Sequence, residues 1–128
     1  MLKSNPVGWF EIYVNDMARA RAFYENVFDT KLEVLKTPAT DLEMLAFSSD
    51  FNAYGSPGAL VKMPGVEAGH NSVIIYFSCK DCAIEEGRAT REGGRVHKPK
   101  MSIGEYGYIS LVYDSESNMI GLHTPAEM

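Results

Sequence analysis

The sequence predicts an α+β fold: two tandem β-α-β-β-β modules pair into a curved mixed sheet around a concave cavity, with the helices on its outer face. Three observations carry this expectation. Phe10, Ile12 and Val14 alternate with Trp9, Glu11 and Tyr13, the period of a strand. That strand runs into Asp16, a good helix N-cap, followed by one apolar stripe of Ala20, Phe23, Tyr24, Val27 and Phe28 at helical spacing. The unit then recurs. Ile75, Phe77 and Cys79 alternate before Asp81 as Phe10, Ile12 and Val14 do before Asp16, and a second helix follows, stopped by Gly93-Gly94. Repetition of a supersecondary unit is a strong architectural signal. Third, the stretch 64–71, Pro-Gly-Val-Glu-Ala-Gly-His-Asn, is rich in breakers and reads as a linker. The expected organisation is one domain over 1–128, made of repeats at about 7–63 and 72–124.

Taken in order, strand 1 is expected at 8–14 and helix 1 at 17–28, with Asp29-Thr30 turning the chain. The alternating segment 31–36 reads as strand 2, ended by Thr37-Pro38-Ala39-Thr40. Strand 3 is read at 42–48, a loop at 49–57 and strand 4 from Gly58 to Met63. After the linker, strand 5 is read at 72–79, helix 2 from Asp81 to about 92 and strand 6 at 95–98. A loop from Pro99 to Gly107 follows, then strand 7 at 107–113, a polar turn from Asp114 to Asn118, and strand 8 at 119–123. Asp16, Phe23, Tyr24 and Asn118 read as structural: a cap, two packing rings and a turn residue.

Composition narrows the partners. The 128 residues carry a net charge of −5 and no basic cluster, which argues against nucleic acid and anionic membrane surfaces. No stretch approaches the ~20 apolar residues that cross a bilayer. The opening Met-Leu-Lys-Ser-Asn-Pro lacks the apolar run of a signal peptide, so the expected location is cytoplasmic. Two cysteines make no disulfide scaffold. They form Cys79-Lys-Asp-Cys82 at a strand-to-helix junction, the place of a thioredoxin-like pair. Cys79, however, falls in the core-facing register of Val14 and reads as a buried thiol.

Three motifs resemble the glyoxalase/bleomycin-resistance/extradiol-dioxygenase family, the vicinal oxygen chelate superfamily. They are Phe10-Glu-Ile-Tyr-Val-Asn-Asp-Met-Ala-Arg-Ala-Arg-Ala-Phe-Tyr24, then Gly93-Gly-Arg-Val-His-Lys-Pro99 with Ile103-Gly104 and Tyr106-Gly107, and Asp114-Ser-Glu-Ser-Asn118-Met-Ile-Gly-Leu-His123. The resemblance implies a divalent metal (Zn, Ni, Mn or Fe) in the cavity of catalytic members, held by His, Glu or Gln from the first and last strands of each repeat. The matching positions here are Trp9, Ile74 and Gly121, with a fourth near Ala59–Val61. None offers a ligating side chain, so the usual metal site is expected to be missing. Ser115 and Ser117 also replace the family's Pro and Gly in the last turn. The resemblance further implies a homodimer.

Alternation places Trp9, Glu11 and Tyr13 on the cavity face of strand 1, Ile74, Tyr76 and Ser78 on that of strand 5, and Met119, Gly121 and His123 on that of strand 8. The candidate ligand-binding residues are therefore Trp9, Glu11, Tyr13, Tyr76, Met119 and His123. Glu11, among apolar neighbours, is expected to be partly buried. It is either a general base or a carboxylate in an ion pair or hydrogen bond at a sheet edge or dimer contact. Glu11 and His123 form a possible shifted metal pair, short of the three protein ligands such sites need. His70 and His97 read as exposed polar residues. Lys98, Lys100 and Glu105 flank the 99–107 loop, read either as solvated or as closing over a ligand. The function taken from these readings is binding of a small aromatic or hydrophobic molecule in the cavity. A metal-dependent lyase, isomerase or dioxygenase using Glu11 and His123 is the alternative.

Overall fold

A computed structural model describes residues 5, 7, 9–37, 41–50, 52–71 and 73–126. The first module contains β1 (Phe10–Tyr13), α1 (Met17–Phe28), β2 (Glu33–Leu35), β3 (Glu43–Ala46) and β4 (Gly58–Lys62). The second contains β5 (Tyr76–Ser78), α2 (Cys82–Arg91), β6 (Arg95–Ser102), β7 (Tyr108–Tyr113) and β8 (Met119–Thr124). Hydrogen bonding makes two four-stranded sheets with orders β1-β4-β3-β2 and β5-β8-β7-β6. In each, the first strand runs parallel to the last, pairing Glu11 with Ala59 and Tyr76 with Gly121. The two sheets are thus copies of one mixed topology, as the repeat requires.

Both helices start where the sequence indicates. Asp16 accepts from Arg19 N at 3.0 Å and Asp81 from Ala83 N at 3.1 Å, each satisfying an orphan N–H of the first turn. The apolar stripe of α1 buries Ala20, Phe23, Tyr24 and Val27 against Ile12, Val14, Leu60, Val112, Ile120 and Leu122, so one core serves both modules. Aromatic rings join them. Phe77 of β5 lies 4.7 Å from Phe28, 5.6 Å from Phe47, 5.9 Å from Tyr24 and 6.0 Å from Phe10, centroid to centroid. A residue of the second module is enclosed by rings of the first. Such ring pairs add about 0.5–1.5 kcal/mol each beyond burial.

Three elements depart from the sequence reading. β6 continues through Pro99 to Ser102 where a loop was expected, and the loop shrinks to a single 3-10 turn, Gly104–Tyr106. β6 is the edge strand of its sheet, where proline's missing donor is tolerated, and register shifts after Val96 and Lys98 absorb the irregularity. β5 is only Tyr76–Ser78. Ahead of it the Asn71 side chain takes a strand's place beside β8: Oδ1 accepts from Met119 N at 3.2 Å, and Nδ2 donates to Met119 O at 3.1 Å and to Val73 O at 2.9 Å. β2 keeps three residues, all exposed, because it is the outer strand of the first sheet. The expected turn at 38–40 and residue 72 lie outside the described residues.

The 114–118 turn ties the modules by polar contacts. Its Glu116 side chain is fully buried. One oxygen accepts from Asn15 N and Asp16 N, both at 2.9 Å, and the other pairs with Arg19. Burial pushes the Glu116 carboxyl up, but the Arg19 guanidinium and the two backbone N–H groups outweigh it and hold the group below its ordinary 4.5. A depressed carboxylate lends stability that is complete above its unfolded value and lost as pH falls through the folded one. Glu116→Gln is therefore expected to cost about 2 kcal/mol at neutral pH, a figure already lowered for the solvent-screened Arg19. The gap to wild type should narrow below pH 4.5. Urea unfolding across pH reads both; a gap independent of pH would remove the charge from the account.

Candidate functional site

The cavity borders this core, taking Ile12 and Ile120 from it as well as Glu11, Tyr13 and Met119 from the opposite strand faces. Along β1, Ile12 and Val14 are buried with the helices, whereas Trp9 is 41% exposed and Glu11 is exposed beside half-buried Tyr13. The expected partial burial of Glu11 is therefore corrected. β1 is an edge strand, and this face opens to solvent. Glu11 is nevertheless fixed. Trp9 Nε1 donates to one carboxylate oxygen at 3.1 Å and the Tyr13 hydroxyl to the other at 2.7 Å. Residues i and i+2 share a strand face, so this local sequence alone builds the clamp. The bond to Glu11, aided by burial, raises the Tyr13 phenol above its ordinary 10.0, so Tyr13 remains a donor across neutral pH.

A cavity of about 260 Å³ opens beside this clamp. Glu11, Tyr13, Ile75, Asn118 and Met119 contribute to its lining, and the linker residues Val66, Glu67, Gly69 and Asn71, with Val73 just beyond the linker, close one side. The sequence reading missed the linker's part. Three asparagines bind it down. Asn15 Oδ1 accepts from Ala68 N at 3.1 Å and Asn118 Oδ1 from Gly69 N at 2.7 Å, and Asn71 docks on β8 as described. Asn118 Nδ2 also donates to Tyr13 O at 2.9 Å and to Asp114 at 3.1 Å. Asn118, expected as a turn residue, thus also joins the linker to β1. The available signal was an asparagine at each strand or linker end.

Of the candidate binding residues, Glu11, Tyr13 and Met119 share this cavity, and Trp9 reaches it through its bond to Glu11. Tyr76, 48% exposed, lines a smaller cavity of about 190 Å³ with Phe10, Phe47 and Ser56; Ile75 borders both. His123 is turned to the 3-10 segment, where Nε2 donates to Tyr106 O at 2.8 Å. Lys100 is held by Asp81 at 2.9 Å. Cys79 and Cys82 are free and buried. Burial and the nearby Glu85 push the Cys79 thiol up to about 12, which leaves it without the thiolate character that redox chemistry needs.

The donor set does not fit the metal centre that the resemblance implied. Ala59 is buried under strand pairing with Glu11. A β-carbon at Gly121 would lie 2.2 Å from the Tyr76 ring, so the aromatic occupies the space of any side chain there. The Trp9 ring nitrogen is spent as a donor, and Ile74 is apolar. Among the described residues no three His, Cys, Asp or Glu side chains come together to hold a metal ion.

With fold and cavity in view, the chain belongs to the Glyoxalase/Bleomycin resistance protein/Dioxygenase superfamily, whose profile it matches over residues 7–122. Its fold is similar to glyoxalase I from Zea mays, with a TM-score of 0.71 at 17% identity over 93% of this chain; the chain spans 46% of that protein's length. A superfamily member from Sphaerobacter thermophilus DSM 20745 gives a TM-score of 0.71 at 18% identity, covering 92% of this chain and 95% of the other. TnmS3, an antibiotic binding protein from Streptomyces sp. CB03234, gives 0.63 at 23% identity, covering 94% and 95%. At these identities the likeness is one of fold, which does not fix function. No curated protein matches the sequence significantly. Among the described residues no helix is long and apolar enough to cross a membrane.

Proposed function

We propose that this protein binds a small aromatic or hydrophobic molecule in the cavity between its modules, without a metal at the family's usual positions. The observation that carries the reading is the cavity itself: about 260 Å³, walled by Val66, Val73, Ile75 and Met119, and marked by one clamped carboxylate. Pockets of this kind take ligands by apolar contact and use few polar groups for orientation. Trp9, Gly121 and Tyr76 together support the metal-free part, because they fill or spend the places where ligands would act. The antibiotic-binding relative supports a binding role for this architecture. A homodimer, implied by resemblance, belongs to the same proposal.

The sequence provides its own reporter, since Trp9 is the sole tryptophan and its indole donates to Glu11. Titration with soluble aromatic compounds is expected to give a saturable change in Trp9 emission with at least one of them, at equal affinity with and without Zn, Ni, Mn or Fe. Binding that requires an added divalent metal would overturn the reading in favour of a metal-dependent enzyme.

A further inference from the structure

We propose that the cavity selects a small organic cation, an ammonium carried on an apolar body, and that Glu11 anchors it. The inference rests on the binding reading above and extends it to a ligand class. It follows from an inventory of the hydrogen-bonding groups lining the cavity. The two amide donors are used up. Both N–H bonds of Asn71 go to backbone carbonyls, and those of Asn118 go to Tyr13 O and Asp114. The acceptor oxygen of each amide takes one donor, Met119 N and Gly69 N respectively, and keeps one lone pair. The Tyr13 hydroxyl proton is committed to Glu11.

What remains is acceptor capacity. Each Glu11 oxygen takes one donor, and a carboxylate offers about four lone-pair sites. Glu67 lines the same cavity and, among the described residues, has no hydrogen-bond or ion-pair partner. No Lys, Arg or His contributes to the lining; Lys62 and His70 line an open depression on the linker's other side, which Glu67 also borders. A ligand entering here therefore meets apolar walls, two carboxylates and no free side-chain donor. An anion would meet two carboxylates and no free side-chain donor to replace its lost hydration. A neutral acceptor would gain little. A protonated amine satisfies Glu11 directly through a charge-assisted hydrogen bond. Trp9 and Tyr13 pre-set the carboxylate, so little ordering remains to be done on binding.

Three probes with one body and different charge test this: phenylbutylamine, phenylbutanol and phenylbutyrate, titrated by calorimetry with Met119 methyl NMR to locate each. The amine is expected to bind at least about tenfold tighter than the alcohol and the carboxylate weakest, as one charge-assisted hydrogen bond in a partly open site implies. Glu11→Gln, a neutral near-isostere at an exposed position, should bring the amine to within about threefold of the alcohol. Glu67→Gln should have the smaller effect. Equal binding of amine and alcohol at Met119 would overturn the cation inference while leaving the small-molecule reading intact. So would an amine preference that survives Glu11→Gln. Failure of all three probes to perturb Met119 would overturn both.

Discussion

Replacing Asp114 with alanine is expected to cost about 3–5 kcal/mol of folding stability, the largest effect of any single side chain on the polar side of the core. Asp114 is buried and accepts four hydrogen bonds. They come from the Tyr24 hydroxyl at 2.7 Å, Glu116 N at 2.8 Å, Asn118 N at 2.8 Å and Asn118 Nδ2 at 3.1 Å. Burial pushes its carboxyl above the ordinary range, and the Tyr24 and Asn118 donors pull it part of the way back. Alanine leaves four donors without an acceptor, one of them on fully buried Tyr24, and an unmet buried group costs about 1–3 kcal/mol. Two milder variants calibrate the effect. Tyr24→Phe removes one donor and should cost about 1–2 kcal/mol. Asp114→Asn keeps one oxygen for the two backbone N–H groups and should cost about 2 kcal/mol. Urea unfolding orders the three; an alanine variant within 1 kcal/mol of wild type would mean that the 114–118 turn does not need this carboxylate.

Gly107→Ala should be of similar size for a different reason. Gly107 follows the 3-10 turn with φ of 107° and ψ of −128°, a region essentially reserved for glycine. A β-carbon there would also lie 2.0 Å from Thr124 O and 2.7 Å from the backbone at Pro125 and Ala126. Backbone strain of about 1–3 kcal/mol and the displacement of β8's end, about 1–3 kcal/mol, together give roughly 3–4 kcal/mol. Gly104→Ala is the internal control. Its φ is 75°, but a β-carbon would meet nothing within 4 Å, so only the left-handed penalty of about 1 kcal/mol applies. Equal losses at the two positions in thermal or urea unfolding would show that close approach to Thr124 contributes nothing.

The sequence made the architecture legible because the repeat is written in local chemistry. Alternation before Asp16 and Asp81, the apolar stripe of α1 and the paired glycines after α2 each act within a few residues. β6 escaped that logic. Pro99 reads as a break until the strand is known to be an edge, and edge position is a property of the sheet. The cavity was half legible. Periodicity assigned Glu11, Tyr13 and Met119 to the cavity face, and they do share the cavity, but Ile12, Ile75 and Ile120 of the core-facing register line it too, and Ile74, Tyr76, Ser78 and Gly121 do not. Periodicity has no term for solvent access, so Glu11 was expected to be more buried than it is. The linker's role was hidden because Val66 and Glu67 carry no periodic signal. The linker's placement depends on bonds from Asn15 to Ala68, Asn118 to Gly69 and Asn71 to Met119, which span 48 to 53 residues of chain. Glu116 was missed for the same reason, since its partners at the start of α1 are about 100 residues away.

The central claim is a metal-independent small-molecule cavity bounded by Glu11, Met119 and the linker. Methionine methyl NMR tests it most directly, with Met119 assigned through Met119→Leu. Titrating a compound that shifts Trp9 emission is expected to move the Met119 methyl with the same saturation curve, in protein stripped of divalent metal. Saturable binding that leaves Met119 still while Trp9 responds, or that vanishes on metal removal, would contradict it.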